Sequence, residues 1–252
     1  MDAYTSFAKV YDTFMDDVPY QDWCDYIMKL LSSHHITQGL MLDLGCGTGS
    51  LTQLLSQNGF DMIALDNSPD MLEIAREKAL EAQQDILYLL QDMREFELYG
   101  TVAAIISVCD SINYVTDSSE LTQVFSLVNN YLDPKGIFIF DFHPEQYYRT
   151  QLADHIFAED RGTLSFIWDN YYDEASRINE YQLSLFMQSE ENSATYYKYE
   201  ETHYQRGYTL EEIKACIEAS GLDFLCAYDA FTQNPPSEDS ERIYIIAQEK
   251  GK

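Results

Sequence analysis

From residue 40 to residue 142, short apolar runs alternate with amphipathic stretches. Leu40–Leu44, Met62–Asp66, Ile86–Gln91, Val102–Val108 and Gly136–Phe142 are nearly continuous in hydrophobic residues. Runs of that length and evenness predict strands buried on both faces. Helical periodicities lie between them. Ser50–Gln57 carries Leu51, Leu54 and Leu55 on one side. Asn67-Ser68-Pro69 opens a helix through Gln83, with Met71, Leu72, Ile74, Ala75 and Ala79 as its apolar stripe. Pro69 falls in the first turn, where its missing N–H leaves no bond unmade. Leu121–Leu132 is a further helix, stopped by Asp133-Pro134-Lys135-Gly136. Buried strands separated by helices need right-handed crossovers, so the pattern predicts a doubly wound α/β domain on a mostly parallel sheet.

After Phe142 the period changes to two. Leu164, Phe166 and Trp168 alternate with other residues, as do Tyr181, Leu183, Leu185 and Met187. Asp173-Glu174-Ala175-Ser176 and Glu190-Glu191-Asn192-Ser193 separate the runs. Residues 143–208 therefore read as an antiparallel β insertion over one end of the sheet. Ten of the chain's 20 tyrosines fall in 144–208. Thr209-Leu210-Glu211-Glu212 is a capping-box sequence and starts a helix that Gly221 stops. Leu222–Tyr228 and Ile243–Gln248 then form an antiparallel hairpin at the sheet edge, bringing the sheet to seven strands. Residues 1–142 and 209–252 make one domain, interrupted by the insertion.

Charge narrows the function. The 252 residues hold 15 Lys and Arg against 43 Asp and Glu, a net charge of −28. The cations are scattered singly, which argues against a nucleic-acid partner. Such a field mildly attracts a small cation. No apolar run approaches the ~20 residues of a membrane-spanning helix. The start lacks a basic segment followed by an apolar core, so no secretory signal is expected. Cys24, Cys46, Cys109, Cys216 and Cys226 are odd in number and have neither CxxC nor zinc spacing. A cytoplasmic protein with reduced thiols and no metal follows.

The chemistry concentrates at strand ends. Leu42-Asp43-Leu44-Gly45-Cys46-Gly47-Thr48-Gly49 follows the first strand and precedes a helix. Alternate glycines let backbone amides approach a nucleotide-like ligand. The dinucleotide fingerprint GxGxxG would need its third glycine at Ser50, and here it falls at Gly49. Asp66 ends the second strand about 20 residues on, where a carboxylate can accept both ribose hydroxyls. The third strand ends in Gln91-Asp92-Met93 and the fourth in Val108-Cys109-Asp110-Ser111-Ile112-Asn113-Tyr114.

Over about residues 40–142 these features resemble the class I S-adenosylmethionine-dependent methyltransferases. Phe7-Ala8-Lys9-Val10-Tyr11-Asp12, with Pro19-Tyr20-Gln21-Asp22-Trp23, is similar to bacterial small-molecule members, including sugar-amine N,N-dimethyltransferases. The resemblance implies the Rossmann-like methyltransferase fold and S-adenosylmethionine as cofactor. It places Tyr11, Gly45, Cys46, Gly47, Gly49, Asp66, Asn67, Met71, Asp92, Met93 and Cys109 around that cofactor. It implies a small-molecule acceptor, with an amine as one candidate. Asp110, Asn113, Tyr114 and His143, together with His203 of the insertion, are the substrate-side candidates. Several alternatives stand beside these roles. Tyr11 suits a lid over the cofactor, or Tyr11 and Trp23 suit core anchors; His143 suits a cap, and His203 a solvated strand face. The tyrosine-rich insertion suits a substrate lid, a homodimer interface, or both. A protein substrate, or a non-catalytic module that only binds the cofactor, are the functional alternatives. Because a sulfonium leaves as a neutral sulfide, positioning in a water-poor site supplies most of the acceleration. An amine acceptor must lose its proton, which a nearby base would assist.

Overall fold

The computed structural model describes residues 8–15, 18–189, 192 and 194–252. Phe7 of the N-terminal motif and turn residues Glu190, Glu191 and Ser193 lie outside them. In chain order, α1 (Ala8–Phe14) and α2 (Tyr20–Ser33) precede β1 (Gly39–Leu44). Next come α3 (Ser50–Gln57), β2 (Phe60–Asp66), α4 (Pro69–Glu81), β3 (Leu87–Leu90) and β4 (Val102–Ser107). A 3-10 turn (Ser111–Tyr114), α5 (Ser118–Tyr131) and β5 (Leu132–Phe142) complete the first half. The short α6 (Glu145–Tyr147) leads to β6 (Ile156–Asp160), β7 (Leu164–Asp173), β8 (Ile178–Gln188) and β9 (Tyr196–Arg206). The last elements are α7 (Leu210–Ala219), β10 (Asp223–Asp229) and β11 (Ile243–Gln248).

The main sheet has seven strands in the order β10-β11-β5-β4-β1-β2-β3. β1 to β5 run parallel, and β11 is antiparallel to both β5 and β10. Alternation along each strand builds a core on either face. Leu42, Leu44, Ile105, Phe138 and Phe140 pack toward α5 and α7. Met41, Ala104, Ile106, Ile137 and Ile139 pack toward α2 and α3. Strand order reverses between β1 and β4, and that switch point opens a crevice at the strands' carboxyl ends.

β5 begins four residues earlier than its apolar run predicts. Leu132 pairs with Val102, and the register then slips before Ala104 pairs with Ile137. Pro134 cannot donate to the ladder and Lys135 takes a φ of 65°, so a bulge forms there instead of a loop. The capping box of α7 forms as its sequence predicts. Glu212 N donates to Thr209 Oγ1 at 3.2 Å, and Thr209 N donates to Glu212 Oε2 at 2.9 Å.

β6 to β9 form a separate antiparallel meander. Leu164, Tyr181, Leu183 and Leu185 on its inner face bury against Phe14 of α1. The stem is pinned where Glu145 N donates to Tyr208 O at 3.0 Å. Among the described residues, no helix is long and apolar enough to cross a membrane.

Candidate active site

A cavity of about 250 Å³ lies in the crevice. The glycine loop, the ends of β2, β3 and β4, and α1 and α2 enclose it. The loop is shaped by backbone bonds. Gly45 N and Cys46 N both donate to Leu65 O, at 2.8 and 3.0 Å. Gly45 and Gly47 take φ values of 84° and 54°. Gly47 N donates to Asp66 Oδ2 at 2.8 Å, and Ser68 N donates to Asp66 Oδ1 at 2.9 Å. Asp66 thus fixes the loop while lining the cavity. Burial raises its pKa, and the N–H donors oppose that rise. Each oxygen keeps a lone pair for a ligand hydroxyl. The side-chain cap of α4 is Ser68, which accepts from Met71 N.

Cys46, Asn67, Met71, Asp92, Met93 and Cys109 line the same cavity. Gly49 stands behind it, at the N-cap of α3 with φ 73°. A Cβ there would come within 2.8 Å of Tyr88 Oη and 3.2 Å of Ala75 Cβ. Its missing side chain lets α3 start against α4 and β3, a packing role instead of the ligand contact expected. Burial pushes the Cys109 thiol up to about 12 and the Cys46 thiol well above its usual range, so both stay protonated. Arg94 caps the Asp92 carboxylate, with Nε at 2.9 Å from Oδ1 and Nη2 at 2.6 Å from Oδ2. That grip holds Asp92 below the usual carboxylate range and aims it.

α1 closes one side. Thr48 Oγ1 donates to Asp12 Oδ1 at 2.6 Å, and Lys78 Nζ of α4 pairs with Asp12 Oδ2 at 2.8 Å. Tyr11, held by this latch, lies with its hydroxyl 3.9 Å from Cys109 Sγ and lines the cavity. Trp23 is 6% exposed, lines the cavity and packs in the α2–α3 core, as an anchor would.

The substrate-side candidates separate. Tyr114 lines the cavity. Asn113, Asp110 and His143 do not line it, and each is engaged by other partners. Asn113 is fully buried: Nδ2 donates to His143 O at 2.9 Å and Arg206 O at 2.8 Å, and Oδ1 accepts from His143 N at 2.9 Å. It ties the insertion's stem to the sheet. Asp110 accepts from Arg242 Nη2 at 3.1 Å and from Gln205 Nε2 at 2.8 Å. His143 Nδ1 lies 2.6 Å from Glu241 O, a pure acceptor, so Nδ1 carries the proton. Nε2 then accepts from Arg242 Nη2 at 2.9 Å. Burial and the Arg242 charge push His143 down to about 3. It is neutral and its lone pair is already used, so it is not an available base. His203 is not on a solvated face. It is 1% exposed and stacks on Tyr181 with centroids 4.6 Å apart.

Asp43 escaped the expected ligand set although it precedes the loop. It lines the cavity, accepts from Thr52 Oγ1 at 2.6 Å and is pushed up to about 7 by burial. Arg94 and Arg242 were also missed, because each meets its partner through the folded chain and no spacing motif marks them.

A family model described as a methyltransferase domain matches residues 41–136. The Bacillus subtilis (strain 168) protein YqeM, named as a methyltransferase, is 34% identical over 97% of this chain and 96% of its own. The crystal structure of an S-adenosylmethionine-dependent methyltransferase from Clostridium acetobutylicum ATCC 824 superposes with a TM-score of 0.88 at 27% identity. It covers 99% of this chain and 100% of that one. The chain belongs to the S-adenosylmethionine-dependent methyltransferases. The dTDP-3-amino-3,4,6-trideoxy-alpha-D-glucopyranose N,N-dimethyltransferase of Streptomyces venezuelae is 27% identical to this methyltransferase, over 63% of this chain and 67% of its own.

S-adenosylmethionine is the cofactor, and when bound it supplies an electrophilic methyl group on sulfonium. The cavity of this methyltransferase fits it. Gly45 and Gly47, both at positive φ, present bare backbone to it. The Asp66 carboxylate offers two free lone pairs, and Tyr11, Tyr20 and Trp23 present aromatic surface suited to a cation. Asp66→Ala is expected to weaken S-adenosylhomocysteine by at least about tenfold, since a bond to a charged acceptor is worth roughly 1.5–3 kcal/mol. Calorimetry showing unchanged affinity would count against this placement.

Asp43 is expected to make that binding pH-dependent. Its folded pKa is raised above the ordinary value, so the unliganded fold binds more protons than the unfolded chain. This contribution to stability is present at low pH and is lost as pH rises toward 7. Asp43 would hold the cofactor's ammonium, and that charge would favour the carboxylate. Affinity for S-adenosylhomocysteine should therefore rise with pH through about 7, with proton release visible by calorimetry in buffers of different ionisation enthalpy. Asp43→Asn should flatten the dependence.

Proposed function

We propose that this methyltransferase acts on an amino group of a small polar molecule. The observation that carries the reading is the roof over the acceptor side. Tyr114 reaches from the cavity to Tyr181 Oη of β8, 2.6 Å away, and Phe14 of α1 packs edge-on against Phe166 of β7 at 4.8 Å. Insertion and α1 thus meet beside the Tyr114 edge of the cavity, which favours a small acceptor over a large one. The net charge of −28 favours a cationic acceptor over a polyanion. The similarity to an enzyme named as an amino-sugar N,N-dimethyltransferase supports the same class.

The test is S-adenosylhomocysteine release on a panel of amino sugars, amino acids and polyamines, each paired with its hydroxyl counterpart, and on proteins. Turnover confined to small amines is expected. Preference for the hydroxyl counterparts or for proteins would overturn the reading. A homodimer through the insertion belongs to the same proposal: Ile167, Tyr171 and Tyr204 point outward and are 42%, 62% and 50% exposed. Sedimentation of the Tyr171→Lys variant as a monomer, beside a dimeric parent, checks it.

A further inference from the structure

α1 closes one side of the cavity with Tyr11, yet it is too short to hold itself in place. Helices shorter than about 12 residues are marginal in water, and this one has 7. Its position is therefore set by what it grips at each end. One grip is on the insertion. Phe14 packs against Phe166, Arg161 lies 5.6 Å over the Phe14 ring, and Arg161 Nη1 donates to Thr13 O. The other grip is polar and centres on Asp12. Lys78 Nζ donates to Asp12 Oδ2 at 2.8 Å and to Ser50 Oγ at 2.7 Å, while Thr48 Oγ1 donates to Asp12 Oδ1 at 2.6 Å. Thr48 and Ser50 flank Gly49, so this grip runs from α4 through the end of the glycine loop to α1. Glu81 stands three residues on in α4, where it could pair with Lys78 on the same helix face. Lys78 reaches across to α1 instead. Neither Lys78 nor Asp12 lines the cavity.

We propose that Lys78 is a positioning residue: through Asp12 it holds α1 shut over the cofactor, and so sets how fast S-adenosylhomocysteine leaves. α1 forms part of the cavity wall, so exchange of spent for fresh cofactor needs α1 to move. The ion pair suits that duty. Its side chains are 27% and 41% exposed, so water and salt reach it. A pair so placed is weak, and its ammonium is compact and readily hydrated. It can break and re-form while the sheet stays folded. Tyr11 directly precedes Asp12, so release of Asp12 carries the Tyr11 ring away from Cys109. The same contacts tie α1 to Thr48 and Ser50, so opening also loosens the end of the loop that lines the ligand side. The latch concerns cofactor exchange alone and is independent of which acceptor is methylated.

The test is Lys78→Met, which keeps a helix-forming stem and removes the ammonium. Stopped-flow displacement of S-adenosylhomocysteine should show dissociation at least about threefold faster than from the parent, within the range a water-exposed pair is worth. A smaller change overturns the latch. Salt separates this role from a merely structural one. In the parent, dissociation should quicken between about 0.05 and 0.5 M salt as the pair is screened, and in Lys78→Met that dependence should be lost. Equal salt dependence in the two proteins overturns the latch. A third readout needs no ligand. Amide hydrogen exchange across α1 should be faster in Lys78→Met, with β4 and β5 unchanged. An unchanged α1, or faster exchange in all three elements, overturns the latch. Where Lys78→Met does not fold, Asp12→Asn, which loses the charge and keeps an acceptor for Thr48, carries the same three readouts.

Discussion

Arg242→Met should lower stability by about 3–5 kcal/mol, read as a large drop in the urea midpoint, although the residue never touches the cavity. Its guanidinium bonds Asp141 through Nη1 and Asp110 through Nη2, and lies 5.3 Å from the Trp23 ring. Asp141 is 0% exposed at the end of β5 and also accepts from Cys109 N at 3.2 Å and Asp110 N at 2.9 Å. Removing the cation leaves that carboxylate buried with only two backbone donors. An uncompensated buried charge outweighs the apolar contacts that methionine would add. The double variant Arg242→Met/Asp141→Asn should therefore be more stable than Arg242→Met alone. Equal stability of the two would show that the charge is not what costs. The effect reaches the site through the backbone. Cys109 and Asp110 hold φ values of 64° and 54°, which are strained for non-glycine residues, and their N–H bonds to Asp141 keep them there. That turn carries Ser111 and Tyr114 into the cavity.

The same turn explains what the sequence could and could not reveal. Apolar runs announced the parallel strands because burial on both faces leaves a continuous signal. The GxGxG loop and Asp66 followed because ligand sites of such sheets lie at strand ends. Past the end of β4, however, two successive residues with positive φ turn the chain back on itself. No pattern in Asp110-Ser111-Ile112-Asn113-Tyr114 shows that Ser111 and Tyr114 face the cavity while Asn113 faces the insertion's stem. His203 was hidden for another reason. Glu201, Thr202, His203, Tyr204 and Gln205 alternate without hydrophobic contrast, so period two names two faces but not which is inside. Only pairing with Tyr181 decides that. Long-range cations behave alike: Lys78 on Asp12 and Arg242 on Asp141 join elements 66 and 101 residues apart.

Gly45→Val should abolish useful cofactor affinity, with a loss of at least about 100-fold for S-adenosylhomocysteine, or about 2.7 kcal/mol. Two effects act together. The residue holds φ at 84°, a region a β-branched side chain adopts only with strain of about 1–3 kcal/mol. Its new Cβ would also fall 2.9 Å from Ser111 Cβ and Oγ, and 3.4 Å from Met93 Cε. Relief of the strain moves the loop, and with it the amides and the Asp66 contact that shape the ligand side. Gly47→Ala separates the contributions. That residue also has positive φ, 54°, but nothing lies within 4 Å of its Cβ position. It should lose less than Gly45→Val, because no protein atom crowds its Cβ. Adding Ser111→Gly to Gly45→Ala removes the crowding atoms while leaving the strain, and should return part of the affinity. Were Gly45→Val to bind within about tenfold of the parent, crowding at the Gly45–Ser111 approach would not govern the site, and the cofactor's amino-acid end would have to lie elsewhere in the crevice.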